Sequence, residues 1–314
     1  MSADDIYQAV TDRMVQALEH GVVPWRTPWT LAGPPRSMST GHAYRGVNTW
    51  LLSLASHEHA WRSPWFGTYR EIQERGGQVR QGEKSTLVTF WKMFEKAERD
   101  PGTGDLRARA MPMLRKFRVF NADQTDNLPG RFYPQPGQDR PIDRPQAVLD
   151  GYLTMAYAPR LRHDVAGQAY YDPVRDVIRM PPMTSHRSPG DYYVTAFHEA
   201  AHSTGHESRL NRPGITSQDA SFGSHEYGKE ELVAQMTASM LCAETGIDSK
   251  EIFQNSAAYI GSWIQTLKGD PKMVVSAAAA AQKATDLITE PSRQALRETE
   301  PDRHQQHDRE LEAG

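Results

Sequence analysis

The chain has 314 residues and a net charge of −3, and this charge is divided unevenly along its length. Residues 1–138 contain 18 Lys and Arg against 14 Asp and Glu, whereas the remainder contains 18 against 25. A single cysteine, Cys242, excludes an intramolecular disulfide and fits a reducing compartment. No apolar run reaches the roughly 20 residues of a membrane-spanning helix, and the first residues lack the order of a signal peptide. We therefore expect a soluble, cytoplasmic protein of about two domains.

The basic half is predicted to be α+β. Apolar residues recur at helical spacing from about Ile6 to His20, and Gly21 ends this helix. The runs 86–91 and 116–120 are rich in β-branched and aromatic residues and predict strands. The charged, glycine-containing segment 95–109 between them predicts an exposed hairpin loop. Two further helices are predicted at 47–56 and 68–75.

A linker is predicted near residue 140, because residues 134–145 are dense in proline, glycine and charge. The predicted domains are 1–138 and 139–290, and the charged segment 291–314 is expected to be a disordered tail. The second domain is expected to be mainly helical with a small sheet. Its predicted elements are a hairpin from 167–171 and 177–180, and helices at 189–204, 229–244, 255–267 and 271–288.

The segment His198-Glu199-Ala200-Ala201-His202 predicts a metal site, because two imidazoles four residues apart on a helix share one face and can bind one zinc ion per chain. Ser188 and Pro189 provide start signals for this helix. Glu199 is poorly placed to bind the metal but can reach the water that zinc activates, so we predict a general base that then donates a proton to the leaving amine. The alternative is a surface helix with two solvated histidines.

The third ligand is predicted to be a glutamate on the next helix, because catalytic zinc usually takes three protein ligands. Ser208 occupies the position where one extended pattern has a third histidine. Glu231 lies at the edge of an apolar stripe and is preferred over Glu230, which is expected to point further toward solvent. Gln235, one turn below, is a candidate partner for a zinc-binding histidine. Unranked donors to the developing oxyanion are Tyr227, His225 and His206.

The first half has a composition that suits single-stranded DNA, since six of the seven tryptophans lie there. Cations follow the phosphates of a single strand, and aromatic rings stack on its unpaired bases. Such contact is expected to be sequence-tolerant and salt-sensitive. The alternative is that the tryptophans form a core. Candidate DNA contacts are Arg26, Arg45, Arg80, Lys84, Lys92, Trp25, Trp29, Tyr44 and Trp65.

Several strings resemble the ArdC antirestriction family. Those that resemble its N-terminal domain are Trp25-Arg26-Thr27-Pro28-Trp29, Tyr44-Arg45-Gly46-Val47-Asn48, Gly76-Gly77-Gln78-Val79-Arg80-Gln81-Gly82-Glu83-Lys84 and Val119-Phe120-Asn121-Ala122-Asp123-Gln124. Those similar to its zincin-type metallopeptidase domain are Phe197-His198-Glu199, His202, Thr204-Gly205-His206, Arg209-Leu210, Tyr227 and Glu230-Glu231-Leu232-Val233-Ala234. The resemblance runs in order over roughly residues 5–290. One departure is Gln235, where many relatives are expected to carry an acid.

This resemblance implies a single-stranded-DNA-binding domain joined to a zinc-peptidase-like domain, carried by plasmids or other mobile elements and protecting incoming DNA from host restriction. Two functions therefore compete. The first is a DNA-guided zinc peptidase that disables an unidentified protein substrate, such as a component of a restriction system. The second is a DNA-coating protein whose zinc domain is structural. A weaker third is a secreted effector protease.

Overall fold

The computed structural model describes residues 2–26, 33–99, 106–133, 145–217, 224–247 and 257–299. The helices, in chain order, are α1 (Ala3–Glu19), α2 (Val47–Glu58), α3 (Tyr69–Glu74), α4 (Pro145–Leu153), α5 (Pro189–Ser203), α6 (Pro213–Thr216), α7 (His225–Thr245), α8 (Ala257–Gly269) and α9 (Met273–Thr299). The strands are β1 (Arg36–Ser37), β2 (Trp65–Gly67), β3 (Gln78–Val79), β4 (Thr86–Arg99), β5 (Leu106–Asn121), β6 (Thr125–Asp126), β7 (Arg160–Arg162), β8 (Tyr170–Asp172) and β9 (Val177–Arg179). The predicted α+β class is confirmed. Across this described part of the chain, no helix is long and apolar enough to cross a membrane.

The chain forms two compact units, residues 1–140 with 250–280 and residues 141–249 with 281–314. The change at residue 140 coincides with the predicted linker, but residues 250–280 belong to unit 1 rather than to the predicted second domain. The reason is that α8 packs on α1. Trp263 of α8 and Trp25 meet edge to face, with ring centroids 5.7 Å apart.

Unit 1 is built on a four-stranded sheet in the order β1-β2-β5-β4. Its long β4–β5 hairpin is paired from Thr86 and Val119 to Arg99 and Leu106. The expectation of a loop over 95–109 is therefore wrong for the residues that the structure describes, which continue both strands. Charged side chains weaken strand propensity, but the backbone groups of the two strands satisfy one another across the ladder. The predicted helix ending at Gly21 is confirmed, with Gly21 at φ +77°.

The inner end of this hairpin is fixed by a buried amide. Asn48 on α2 donates from Nδ2 to the Thr89 carbonyl oxygen at 2.7 Å, and its Oδ1 accepts from the Thr89 backbone N–H at 2.8 Å. These bonds satisfy the outward backbone groups of Thr89 on the edge strand β4. Val88 lies in the core beside this contact, together with Tyr44, Leu52, Phe66 and Val119.

Unit 2 combines a small sheet with packed helices. The predicted hairpin is confirmed, since β8 and β9 pair antiparallel from Tyr170 and Arg179 to Asp172 and Val177. The short strand β7, which pairs parallel with β9, has no sequence signal strong enough to predict it. Helix α5 packs closely on α7, and both helices bury alanines and other small residues.

Helix α9 is longer than predicted. The expected disordered tail from residue 291 is wrong as far as Thr299, the last described residue of α9. Ser292 is buried, and the Arg293 guanidinium binds both carboxylate oxygens of Glu244 at 2.9 Å. These contacts within unit 2 hold a polar segment that has too few apolar residues to be recognised as a helix. Residues 300–314 of the predicted tail lie outside the described residues.

Candidate functional site

Helices α5 and α7 bring the predicted metal ligands together. The Ser188 hydroxyl accepts from the Asp191 backbone N–H at 3.1 Å and so fixes the start of α5. From this start, His198 and His202 fall on the same side of the helix, one turn apart. Glu231 faces them from α7. Ligand atoms of these three residues all lie within 4.8 Å of one another.

The separations of these atoms suit a single tetrahedral ion. His198 Nε2 and His202 Nε2 are 3.2 Å apart. The Glu231 carboxylate lies 3.7 Å from His198 Nε2 and 3.4 Å from His202 Nε2. Zinc with bonds of about 2.0–2.1 Å in tetrahedral geometry holds its ligand atoms roughly 3.3 Å apart. The three side chains therefore fit a divalent ion without rearrangement.

The ligand set leaves room for a further group at the metal. The side chains of His198 and Glu231 remain 21% and 25% exposed, so the position between them is accessible. Among the residues that the structure describes, no fourth His, Cys, Asp or Glu joins the cluster. Three protein ligands with an accessible fourth position are typical of catalytic zinc, whereas structural zinc is usually enclosed by four.

Glu230 is buried, and the expectation that it points toward solvent is wrong. Its side chain is 4% exposed, and its Oε1 accepts from His202 Nδ1 at 3.3 Å. Arg212 donates from Nε to Oε2 at 2.8 Å and from Nη2 to Oε1 at 2.6 Å. Burial raises the pKa of Glu230, but the hydrogen bonds and charges of Arg212 and His202 lower it by more. A carboxylate that receives Nδ1–H leaves the Nε2 lone pair of His202 free for the metal.

Arg212 connects this carboxylate to the end of α5. Besides binding Glu230, it donates to the Thr204 hydroxyl at 2.6 Å and to the Ala201 carbonyl oxygen at 2.7 Å. Sequence reasoning missed Arg212, because it lies 18 residues from Glu230 in an ordinary turn sequence and no local signal links the two. Gln235 is buried further along α7, and its role beside a metal-binding histidine stays a prediction.

Glu199 lies on α5 between the two histidines and is 7% exposed. Burial raises its pKa, and the nearby Glu231 carboxylate raises it further, although His202 and a backbone hydrogen bond from Tyr171 act in the opposite direction. Burial also lowers the pKa of His202, but the hydrogen bonds to Glu230 and Glu231 and the charges of Glu231 and Glu199 outweigh it and raise that pKa to about 10. The site is thus rich in buried carboxylates, which a divalent cation would neutralise.

The three candidate oxyanion donors differ in position. Tyr227 is partly buried beside Glu231; burial, the Glu231 charge and a hydrogen bond between the two side chains raise the Tyr227 pKa to about 12. His206 lies beyond the end of α5, where Nδ1 is 2.8 Å from the Ser208 hydroxyl. His225 is exposed and lies 3.7 Å from Glu226. Tyr227 contacts one of the clustered side chains, because it hydrogen-bonds to Glu231.

The aromatic residues predicted to contact DNA lie mostly in the core. Trp25 is fully buried, and Tyr44 is packed between the rings of Phe66 and Phe90. Neither ring presents a face on which a base could stack, so the predicted DNA contacts of Trp25 and Tyr44 do not agree with the structure. Both residues instead belong to the core, which is the alternative given for the tryptophan-rich half. Trp65 is partly buried and packs edge to face on Phe132. Trp29 lies outside the described residues.

The basic residues predicted to contact DNA come from separate segments of unit 1 and do not form one run in the sequence. Arg45, Lys84 and Lys92 are exposed, whereas the side chain of Arg26 lies outside the described part of the structure. Arg80 is exposed, but it donates to the Thr125 carbonyl oxygen at 3.3 Å, to Glu83 at 3.1 Å and to the Asp123 carbonyl oxygen. These bonds make Arg80 part of the support of unit 1, and its role in DNA binding stays a prediction.

Two family models match the chain, one in each half, in the order expected for the ArdC antirestriction family. Residues 4–120 match the N-terminal domain of the anti-restriction factor ArdC. Residues 152–280 match a family described as zincin-like metallopeptidase. The second match contains all three clustered ligands and Glu199.

Similar proteins extend over nearly the whole chain. The antirestriction ArdC protein from the R388 plasmid is 38% identical; its metal-free crystal structure gives a TM-score of 0.75, covering 92% of this chain and 98% of that one. The Mn(II)-bound structure of that protein gives a TM-score of 0.72, with coverages of 91% and 97%. The uncharacterized protein y4eC of Sinorhizobium fredii is 32% identical, covering 90% of this chain and 91% of its own.

A DNA primase TraC of Escherichia coli is 34% identical over 304 residues, but this chain spans only 27% of its length. The site geometry, the metallopeptidase match and the Mn(II)-bound relative together identify the cluster as a divalent-metal site, consistent with zinc.

Proposed function

Because the chain belongs to the ArdC antirestriction family, we propose that it is a metal-dependent peptidase whose N-terminal unit binds single-stranded DNA. In this proposal both activities protect incoming plasmid DNA from restriction in the cytoplasm of the recipient cell. The observation that carries the peptidase part is the accessible cluster of His198, His202 and Glu231 with the buried carboxylate of Glu199 beside it. The family of the N-terminal match and the ArdC relative support the DNA-binding part.

The side chains divide the chemistry of peptide hydrolysis among them. A divalent ion held by His198, His202 and Glu231 would polarise the peptide carbonyl and lower the pKa of water. Glu199 accepts a proton as the water oxygen bonds to the carbonyl carbon, and gives that proton to the nitrogen as the C–N bond breaks. The Tyr227 hydroxyl turns from Glu231 to the developing oxyanion and donates a hydrogen bond to it. Glu230 and Arg212 hold the His202 ring throughout.

The test replaces Glu199 by Gln, which has nearly the same shape but cannot accept the proton. General acid–base catalysis contributes about 10²–10⁴-fold to a rate, so we expect Glu199→Gln to abolish protection of an unmodified plasmid in a restricting host. Protection is measured as plasmid transfer into restricting against non-restricting recipients. Metal content by mass spectrometry should remain at the wild-type level, because Glu199 is not a ligand.

Glu207→Gln is the matched control, since this exposed carboxylate lies just beyond α5 and is not a member of the ligand cluster. We expect it to leave protection unchanged. Full protection by a metal-loaded Glu199→Gln variant would rule out hydrolysis as the mechanism. The second function, a DNA-coating protein with a structural metal domain, would then be the better account.

A further inference from the structure

One face of the β4–β5 hairpin carries exposed aromatic and basic side chains together. Successive residues of a strand point to opposite faces, and residues paired across an antiparallel ladder share a face. The pairs Val88 with Phe117, Phe90 with Arg115 and Lys92 with Met113 therefore lie on one face. Val88 is buried, but the remaining five side chains are exposed. We call Phe90, Lys92, Met113, Arg115 and Phe117 the hairpin platform.

The apolar part of the platform presents ring surface to solvent. Phe90 and Phe117 are 43% and 42% exposed, and Met113 is 44% exposed. The rings of Phe90 and Phe117 meet at 70°, with centroids 5.6 Å apart. The inner side of Phe90 rests against buried Tyr44, so this ring is held by the core while its outer side remains accessible. Contiguous exposed apolar side chains with polar residues around them mark interaction sites.

The surroundings of these rings are positively charged. Lys92 on β4 and Arg115 on β5 lie on the platform itself. Residues 86–92 and 113–120 contain no Asp or Glu. A polyanion is therefore attracted to this part of the hairpin, whereas a second copy of the same surface would be repelled.

We infer that the hairpin platform is the surface on which the proposed single-stranded-DNA-binding unit holds its ligand, an inference that rests on that proposed function. Unpaired bases stack on the Phe90 and Phe117 rings, and Lys92 and Arg115 contact the flanking phosphates. Paired bases cover their faces in a duplex, so an aromatic surface of this kind favours single strands. The backbone groups of Thr89 at the strand edge are bonded to Asn48, which disfavours a protein partner that adds a strand there.

The test compares the two faces of the hairpin in the full-length protein. Phe117→Ala and Arg115→Gln change the platform. Trp91→Ala and Arg118→Gln are matched controls, because Trp91 is 56% exposed and both residues lie on the opposite face. Affinity for a fluorescent oligothymidine, and for an abasic strand of equal length, is measured by anisotropy over a range of salt concentrations. Circular dichroism and metal content verify that each variant is folded.

Phe117→Ala should weaken oligothymidine binding roughly 5- to 100-fold and leave abasic-strand binding nearly unchanged, because it removes stacking alone. Arg115→Gln should weaken binding of both strands and reduce the slope of log affinity against log salt by about 0.7, the value for one phosphate contact on a single strand. Both controls should bind as the wild type does.

If the platform variants bind as tightly as the wild type, or if the controls lose as much affinity as the platform variants, the platform is not the binding surface. The proposed single-strand binding itself would remain. A wild-type protein with no affinity for either strand would refute the DNA-binding function and the platform together. A change in oligomeric state by light scattering, with unchanged DNA affinity, would instead assign the face to self-association and overturn the inference.

Discussion

Glu230 and Glu231 are neighbours in the chain, yet their carboxylates bind opposite sides of one imidazole ring. The Glu230 carboxylate accepts a hydrogen bond from His202 Nδ1 at 3.3 Å, and the Glu231 carboxylate lies 3.4 Å from Nε2 of the same ring. Consecutive helical residues point about 100° apart, which is enough to straddle a ring that enters between them. In the proposed site one glutamate binds the metal and the other orients the His202 ring, so the two glutamates are not interchangeable.

A second ion pair, between buried Arg209 and partly buried Asp176 in the turn that joins β8 to β9, sets a pH dependence. Asp176 accepts from the Tyr171 hydroxyl at 2.7 Å and from Arg209 Nη1 at 3.0 Å, and the Arg209 side chain is 3% exposed. Burial raises the pKa of Asp176, but the hydrogen bonds and positive charge of Arg209 lower it by more. The folded-state pKa is therefore depressed. Its stabilising contribution is present above the unfolded pKa of about 3.9 and is lost as pH falls through the folded value.

We expect Asp176→Asn to lower the free energy of unfolding by roughly 1.5–3 kcal/mol at pH 7, the range for hydrogen bonds to charged groups. Asn tolerates the positive φ of +50° at this position, so the backbone adds no strain of its own. Urea unfolding at pH 7, 5 and 3.5 measures the effect. The difference from the wild type should persist at pH 5 and shrink below about pH 4.

Asp172→Asn in the same hairpin is the control. Its oxygen still caps the backbone N–H groups of Val174 and Arg175, and only the ion pair with the 69% exposed Arg175 is weakened. An exposed pair is worth about 0–1 kcal/mol, so a small change is expected. A difference for Asp176→Asn that does not vary with pH would show that packing, rather than charge, governs this position.

At the scale of elements, Gly214 sets the distance between α6 and α7. A Cβ atom at Gly214 would lie 2.5 Å from Glu230 Cβ and 3.1 Å from the Glu226 carbonyl oxygen. Neither atom is the flexible end of a side chain, so α6 would have to move away from α7. Arg212 stands at the start of α6, and its hold on Glu230 depends on that approach.

Gly214→Ala should therefore destabilise the protein by about 1–3 kcal/mol, the usual cost of overpacking. Gly228→Ala is the matched change, because Gly228 lies inside α7 and its Cβ would meet nothing within 4 Å. It should stabilise the protein by roughly 0.5–1 kcal/mol, since alanine loses less backbone entropy in a helix than glycine does. We expect the urea midpoint to fall for Gly214→Ala and to rise for Gly228→Ala. A midpoint that rises equally for both variants would mean that α6 moves away from α7 without loss of stability.

The elements that sequence predicts well are those whose signals are local. The Ser188 cap, the four-residue spacing of the histidines and the end of α7 at Gly246 all follow from short-range patterns. The outer part of the β4–β5 hairpin could not be predicted, because its charged residues have low strand propensity. Backbone hydrogen bonds between the two strands hold this part together, and they are not visible in the sequence. The burial of Glu230 was equally hidden, since it depends on Arg212, which reaches it only in the folded protein.

Metal chemistry and DNA binding are assigned to different units of the molecule. The ligands His198, His202 and Glu231 all belong to unit 2, and the hairpin platform belongs to unit 1. A change confined to the ligands should therefore leave the platform's affinity for single strands intact. This expectation rests on the location of the ligands and the platform in different units, and it does not depend on which protein the peptidase cleaves.

A decisive experiment measures the metal content of the wild type, Glu231→Gln and Glu230→Gln, together with the oligothymidine affinity of the same samples. We expect one divalent ion per chain in the wild type, none in Glu231→Gln, and an ion bound roughly 10- to 100-fold more weakly in Glu230→Gln, because Glu230 acts through His202. DNA affinity should be the same in all three. Full metal retention in Glu231→Gln, or complete loss only in Glu230→Gln, would contradict the ligand assignment.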